Sequence, residues 1–144
     1  MANIVPDSFK TDLLKGTFNF DSSGGSTFKL ALYTDLSGFS TSTTAYTTTN
    51  EVSSSGTGYT AAGNTLTNNG VSVSSNIAFV DFADLTFSSV TLTADSALIY
   101  KSSANNEAVL VLDFGGDKTA TNGDFVIQFP TADSSSAIIR LGDA

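Results

Sequence analysis

Five aspartates, Asp81, Asp84, Asp113, Asp117 and Asp124, fall near the ends of predicted strands. Two carboxylates suffice for glycoside hydrolysis without histidine or cysteine, so these residues are the chain's best material for catalysis. Nothing in their spacing singles out a pair, and turn and edge positions on an Asp-rich surface account for all five. Asp117, Asn122 and Asp124 share one predicted loop and are the residues best placed to hold a calcium ion with backbone oxygens. The EF-hand alternation of Asp or Asn ending in Gly is absent, and a solvated loop explains the same residues. Gly56-Thr-Gly58 and Gly63 form neither a dinucleotide fingerprint nor a phosphate loop. They read as turns around Tyr59. The tyrosines, Tyr33, Tyr46, Tyr59 and Tyr100, are of a type that stacks on sugars or nucleobases. Scattered over strands and loops, they read instead as residues between core and water. Threonines cluster between Ser40 and Thr49 without the fixed period that an ice-binding face needs.

The chain has 144 residues, no cysteine and no histidine. Disulfides, thiolate chemistry, serine–histidine and cysteine–histidine nucleophiles and the usual zinc sites are therefore closed to it. Fourteen acidic residues against six basic ones give a net charge of −8. That sign opposes binding to a phosphate backbone, whose affinity comes from Lys and Arg, so no nucleic-acid partner is expected. No apolar run approaches the roughly 18 residues of a membrane-spanning helix. The opening Met1 to Pro6 lacks the basic and apolar regions of a secretory signal, and no Asn-x-Ser/Thr site occurs. Synthesis in the cytosol without a membrane partner is the simplest expectation.

Serine and threonine make up 41 of the 144 residues, beside 11 Phe and 4 Tyr. Polar β-formers plus aromatics describe a β-rich domain rather than a disordered chain. The one helical signal spans about residues 8–15: Asp7 to cap, Phe9, Leu13 and Leu14 on an apolar edge, Gly16 to stop. A helix this short must lie on the domain or on a partner. Beyond Gly16 the pattern is strand and turn. Residues 27–33 alternate with Phe28, Leu30 and Leu32 on one face. A long loop follows over Ser37–Thr49, placed on the outer surface, with a short strand near Glu51. Asn69-Gly70 predicts a hairpin turn with Leu66 opposite Val73. Residues 77–82 and 85–92 are strands, the second with a phase switch at Ser88-Ser89 that predicts a bulge or bend. Residues 97–100 and 108–114 form a second hairpin, whose doubly apolar run 108–112 predicts a central strand. Gly115-Gly116 breaks that strand, and residues 117–123 are read as a connection. Phe125, Ile127 and Phe129 then point inward up to Pro130, and 137–141 closes the chain. Eight to ten such strands predict an all-β fold, an antiparallel β-sandwich or jelly roll with one short N-terminal helix. Residues 1–144 read as a single domain, with an arm and helix over about 1–16.

A series of strand and turn motifs carries a resemblance. It comprises Phe9-Lys, Leu13-Leu-Lys-Gly-Thr-Phe18, residues 56–68 (GTGYTAAGNTLTN), Val80-Asp-Phe-Ala-Asp84, Ala97-Leu-Ile-Tyr100, Val111-Leu-Asp-Phe-Gly-Gly-Asp-Lys118 and Gly123-Asp-Phe-Val-Ile-Gln-Phe-Pro130. Together these resemble a family of small structural proteins of tailed bacteriophages and prophages, over nearly the whole chain. The resemblance implies a virion protein and, within that, a capsid decoration (cement) protein on the outer surface of the head. It supplies no catalytic residue, metal or cofactor, and a non-enzymatic role is expected. The implied partners are the major capsid protein and further copies of the chain, as a trimer. The residues expected to make capsid or subunit contacts are Ile4, Val5, Phe9, Leu13 and Phe18. The alternative is a tail or fibre component that binds a host-surface glycan.

Overall fold

In the computed structural model, which describes residues 2–143, the chain forms a short helix and two antiparallel sheets. The helix α1 spans Asp7–Leu14. The strands are β1 (Phe28–Tyr33), β2 (Asn64–Thr65), β3 (Asn68–Ser74), β4 (Ile77–Phe82), β5 (Leu85–Lys101), β6 (Ala108–Ile127) and β7 (Ile139–Leu141). One sheet has the order β2-β1-β5-β6 and the other β3-β4-β7. The all-β sandwich expected from composition and alternation is the fold observed. Eight to ten predicted strands become seven because β5 and β6 run unbroken for 17 and 20 residues.

Both long strands absorb irregularities in place. Ser89 takes φ +56°, and the register with β6 shifts between Phe87 and Val90. The predicted bulge thus turns Phe87, Val90 and Leu92 all inward. Gly115-Gly116 does not end β6. Both glycines have positive φ, and the extra residues bulge out between the pairs Ser96↔Asp113 and Ala94↔Lys118. Asn122-Gly123 is likewise a bulge opposite Val90 rather than a connecting turn.

The Asn69-Gly70 hairpin is misplaced by the local signal. The turn falls at Ser75-Asn76, where both residues have positive φ as a two-residue hairpin turn requires. β3 then pairs with β4, Val73 opposite Ala78, while the Leu66 N–H donates to the Phe28 carbonyl. Gly70 keeps its positive φ inside a bulge of β3, its N–H held by Asn68 Oδ1 at 2.9 Å.

Residues 108–112 are buried on both faces as expected, yet β6 ends its sheet. The N-terminal arm closes that edge: Ile4 and Val111 exchange both backbone hydrogen bonds at 2.9 Å. Thr44 O accepts from the Ala108 N–H next to it.

Two cores result. The larger lies between the sheets and holds Leu30, Leu32, Phe82, Phe125 and Ile127. Phe9, Phe18, Phe20, Phe28, Phe82 and Phe129 continue it as a chain of ring contacts 4.6 to 6.5 Å apart. The smaller lies on the other face of β1, β5 and β6 and holds Ala31, Tyr33, Leu98, Tyr100 and Val111. The Ser/Thr-rich loop, expected on the outer surface, is the cover of this second core. Phe39 packs edge-on to Tyr33 at 4.7 Å, and Tyr46 stacks on Tyr100 at 4.9 Å. Its serines and threonines cap the loop's own N–H groups, as Thr43 does for Ser40 and Ser40 for Ser42.

Candidate functional site

Five residues carried the contact expectation, and the structure separates them. Phe9 and Phe18 are buried at 5% and 7% exposure, with ring centroids 5.1 Å apart inside the larger core. Both are committed to the core, and for Phe9 this burial is what holds so short a helix on the body. Ile4 is half-buried and occupied by its pairing with Val111. Val5, 41% exposed, and Leu13, half-buried, remain on the surface.

Those two line a cleft of about 600 Å³ between α1 and β7. Leu14 follows Leu13 on the helix and is 85% exposed. Leu141 faces it from β7 and is 62% exposed. Phe9, Val109, Leu110 and Ile139 form the apolar floor, and Lys10 and Arg140 are the charged residues of the wall. On a chain with eight excess negative charges, this opening is apolar with basic flanks. Grouped exposed apolar side chains of this kind mark contact surfaces. Leu14 belongs to the predicted apolar edge of the helix but not to the expected contact residues, and Leu141 was not singled out by sequence. Both look like ordinary amphipathic positions until β7 is docked beside α1.

Four of the five aspartates accept local hydrogen bonds. Asp81 accepts from Asn69 Nδ2, Asp84 from the Phe129 N–H, Asp113 from the Gly115 N–H and Asp124 from the Ser89 N–H. Asp113 and Asp124 do line one cleft, of about 520 Å³, with Phe114, Phe125 and Lys118. The Gly115 N–H holds the Asp113 carboxyl below the ordinary range, the opposite of what a general acid needs. Of the calcium candidates, Asn122 Oδ1 is engaged by Thr91 Oγ1 at 3.3 Å. No group of three or more acids suited to a metal occurs among the described residues.

The four tyrosines, read as scattered, converge on Glu51. Tyr46 and Tyr59 donate to its two carboxylate oxygens at 2.6 and 2.7 Å, and the Ala62 N–H donates at 2.6 Å. Tyr100 donates to Ala62 O, and Tyr33 to Thr47 O. This network ties the covering loop to the sheet. Burial raises every one of the four phenol pKa values, and the Glu51 charge adds to each rise. Tyr100 is pushed up to about 12. An unfolded chain releases these protons near pH 10, while the folded one keeps them. The folded state thus binds more protons above pH 10, so stability falls as pH rises through the folded values. Tyrosinate absorbance and β-sheet circular dichroism should therefore change together above pH 10. Phenols that titrate near pH 10 with the fold intact would show the cluster to be open to water.

No known protein family, curated protein or solved structure matches this chain. The cleft beside α1 is accordingly weighed on its own chemistry. It offers apolar area flanked by Arg140 and by Lys10, whose ammonium pairs with Asp7 at 2.7 Å, which suits contact with another protein surface.

Proposed function

We propose that this chain is a non-enzymatic structural protein of a phage virion, and that it decorates the outside of the head and stabilises it. The observation that carries the reading is the apolar cleft at the N-terminal helix, with Val5, Leu14 and Leu141 exposed around it on an acidic chain. The resemblance of the strand and turn motifs to those of phage structural proteins supports the setting. The major capsid protein is the proposed partner. A shell presents many equivalent sites, so a modest contact per copy gains from multivalency, and trimers at three-fold positions would fasten neighbouring capsomers.

Deleting residues 1–15 is a poor test, since it removes Phe9 from the core. The informative variant replaces Val5, Leu14 and Leu141 together by serine. It should melt like the parent, because all three side chains are exposed. Its affinity for heads stripped of the protein should fall by a few kcal/mol, at about 1–3 kcal/mol for each residue buried at the contact. Stripped heads should also burst at lower temperature. Hundreds of copies per particle are expected. A handful confined to the tail would replace the head reading with the tail one.

A further inference from the structure

We propose that the free edge of β3 pairs antiparallel with the same edge of a second copy, about a two-fold axis at Ser72. β3 ends its sheet. Ser74 and Ile77 flank the two-residue turn and so form a hydrogen-bonded pair, which makes Ser72↔Phe79 hydrogen-bonded as well. Val71 and Val73 are then the residues whose N–H and C=O groups point away from β4. Their side chains are 51% and 73% exposed. They share a face with Val80 in the larger core.

Natural edges are guarded by charge, proline or a bulge. Here the bulge stops at Gly70, beside Ser22, and beyond it the edge is bare. No charged residue and no proline occurs from Asn64 to Val80.

Self-pairing is favoured over pairing with a foreign strand by two features. Val71-Ser72-Val73 is symmetric about Ser72. A two-fold there sets Val71 against Val73 of the second copy, and each such pair exchanges two backbone hydrogen bonds. The axis is perpendicular to the sheet, so all four valines meet on one face and the serines on the other. Charge is the second feature. Each copy carries −8, and an uncharged strand is where two such copies can approach without facing carboxylates. The contact is pairwise and independent of the cleft beside α1. If the chain also forms trimers, it links one trimer to the next.

The chain has no cysteine, so Ser72→Cys introduces a single thiol. On the axis, the two Cα atoms of a non-hydrogen-bonded pair lie about 4.5 Å apart, within disulfide range. Ser72→Cys should oxidise to a covalent pair, while Ser88→Cys, at an exposed position of the interior strand β5, should not. The unmodified protein should show reversible, concentration-dependent doubling of mass in sedimentation equilibrium. Val73→Lys should abolish the doubling with the melting temperature unchanged. A mass that stays constant up to the solubility limit would overturn the proposal. So would doubling that survives Val73→Lys, or oxidation of Ser88→Cys as readily as Ser72→Cys. If the mass doubles only when a foreign extended peptide is added, the edge serves another partner and the self-pairing is wrong.

Discussion

Gly63→Ala should leave the chain unable to hold its larger sheet in water. Gly63 has φ +73°, and a Cβ there would lie 1.8 Å from Leu30 O, 2.5 Å from the Leu30 carbonyl carbon and 2.7 Å from Ala31 Cα. All three are backbone atoms of β1, which sits between β2 and β5, so none can swing aside as a side chain would. Positive φ alone costs a non-glycine residue about 1–2 kcal/mol. The displacement of a central strand comes on top, and a loss above about 4 kcal/mol is expected. That approaches the total stability of roughly 5–15 kcal/mol of a domain. Gly16→Ala is the control. Gly16 has φ +79°, but its Cβ would meet nothing within 4 Å, so only the backbone term remains. Urea unfolding of the two variants should therefore differ widely. Equal midpoints would mean that β1 and the Gly63 turn are not packed as described.

Ile127→Asp should also abolish the native fold. Ile127 is 6% exposed, pairs with Leu85 at the end of β6, and shares its inward phase with Phe125 and Phe129. Losing the side chain removes about 1.5–3 kcal/mol of apolar burial. A carboxylate in that place adds the larger cost of an uncompensated charge in the core. The neighbouring Val126 is 54% exposed on the opposite face, so Val126→Asp should stay within about 0.5 kcal/mol of the parent. The contrast between adjacent positions tests the alternation itself. Circular dichroism and a cooperative melt for Ile127→Asp, equal to those of Val126→Asp, would sink the assignment.

The contact surface has a physical logic that neither substitution probes. α1 contributes Phe9 to the core and, four and five residues later, offers Leu13 and Leu14 to the cleft. One short helix thus anchors itself with one side chain and presents others. This is why truncating it would confuse folding with binding, and why substitutions at Val5, Leu14 and Leu141 separate the two.

Sequence by itself determined the features set by immediate neighbours. Alternation gave the inward phase of Phe28, Leu30 and Leu32 and of Phe125, Ile127 and Phe129. The phase switch at Ser88-Ser89 located an irregularity, a bulge or a bend, and the pairing with β6 made it a bulge that keeps both halves of the strand facing one core. The Gly16 stop and the all-β class followed equally from local chemistry. Tertiary structure decided what depends on a distant partner. Gly70 and the pair Ser75-Asn76 all take positive φ, and only the pairing of β3 with β4 chose which site became the turn. Whether Gly115-Gly116 ended a strand or bulged within it rested on β5 running alongside. The double burial of residues 108–112 came from the other sheet on one face and the Ser/Thr-rich loop on the other, while Ile4, more than a hundred residues away in the chain, closed the edge. The gathering of Tyr33, Tyr46, Tyr59 and Tyr100 about Glu51 left no local trace, because a hydrogen-bond network is defined by where side chains meet and not by their spacing along the chain. The same holds for Phe9 and Phe18: an apolar edge on a short helix states that something must cover it, and the docking of α1 on the sandwich decided that the cover was the chain itself.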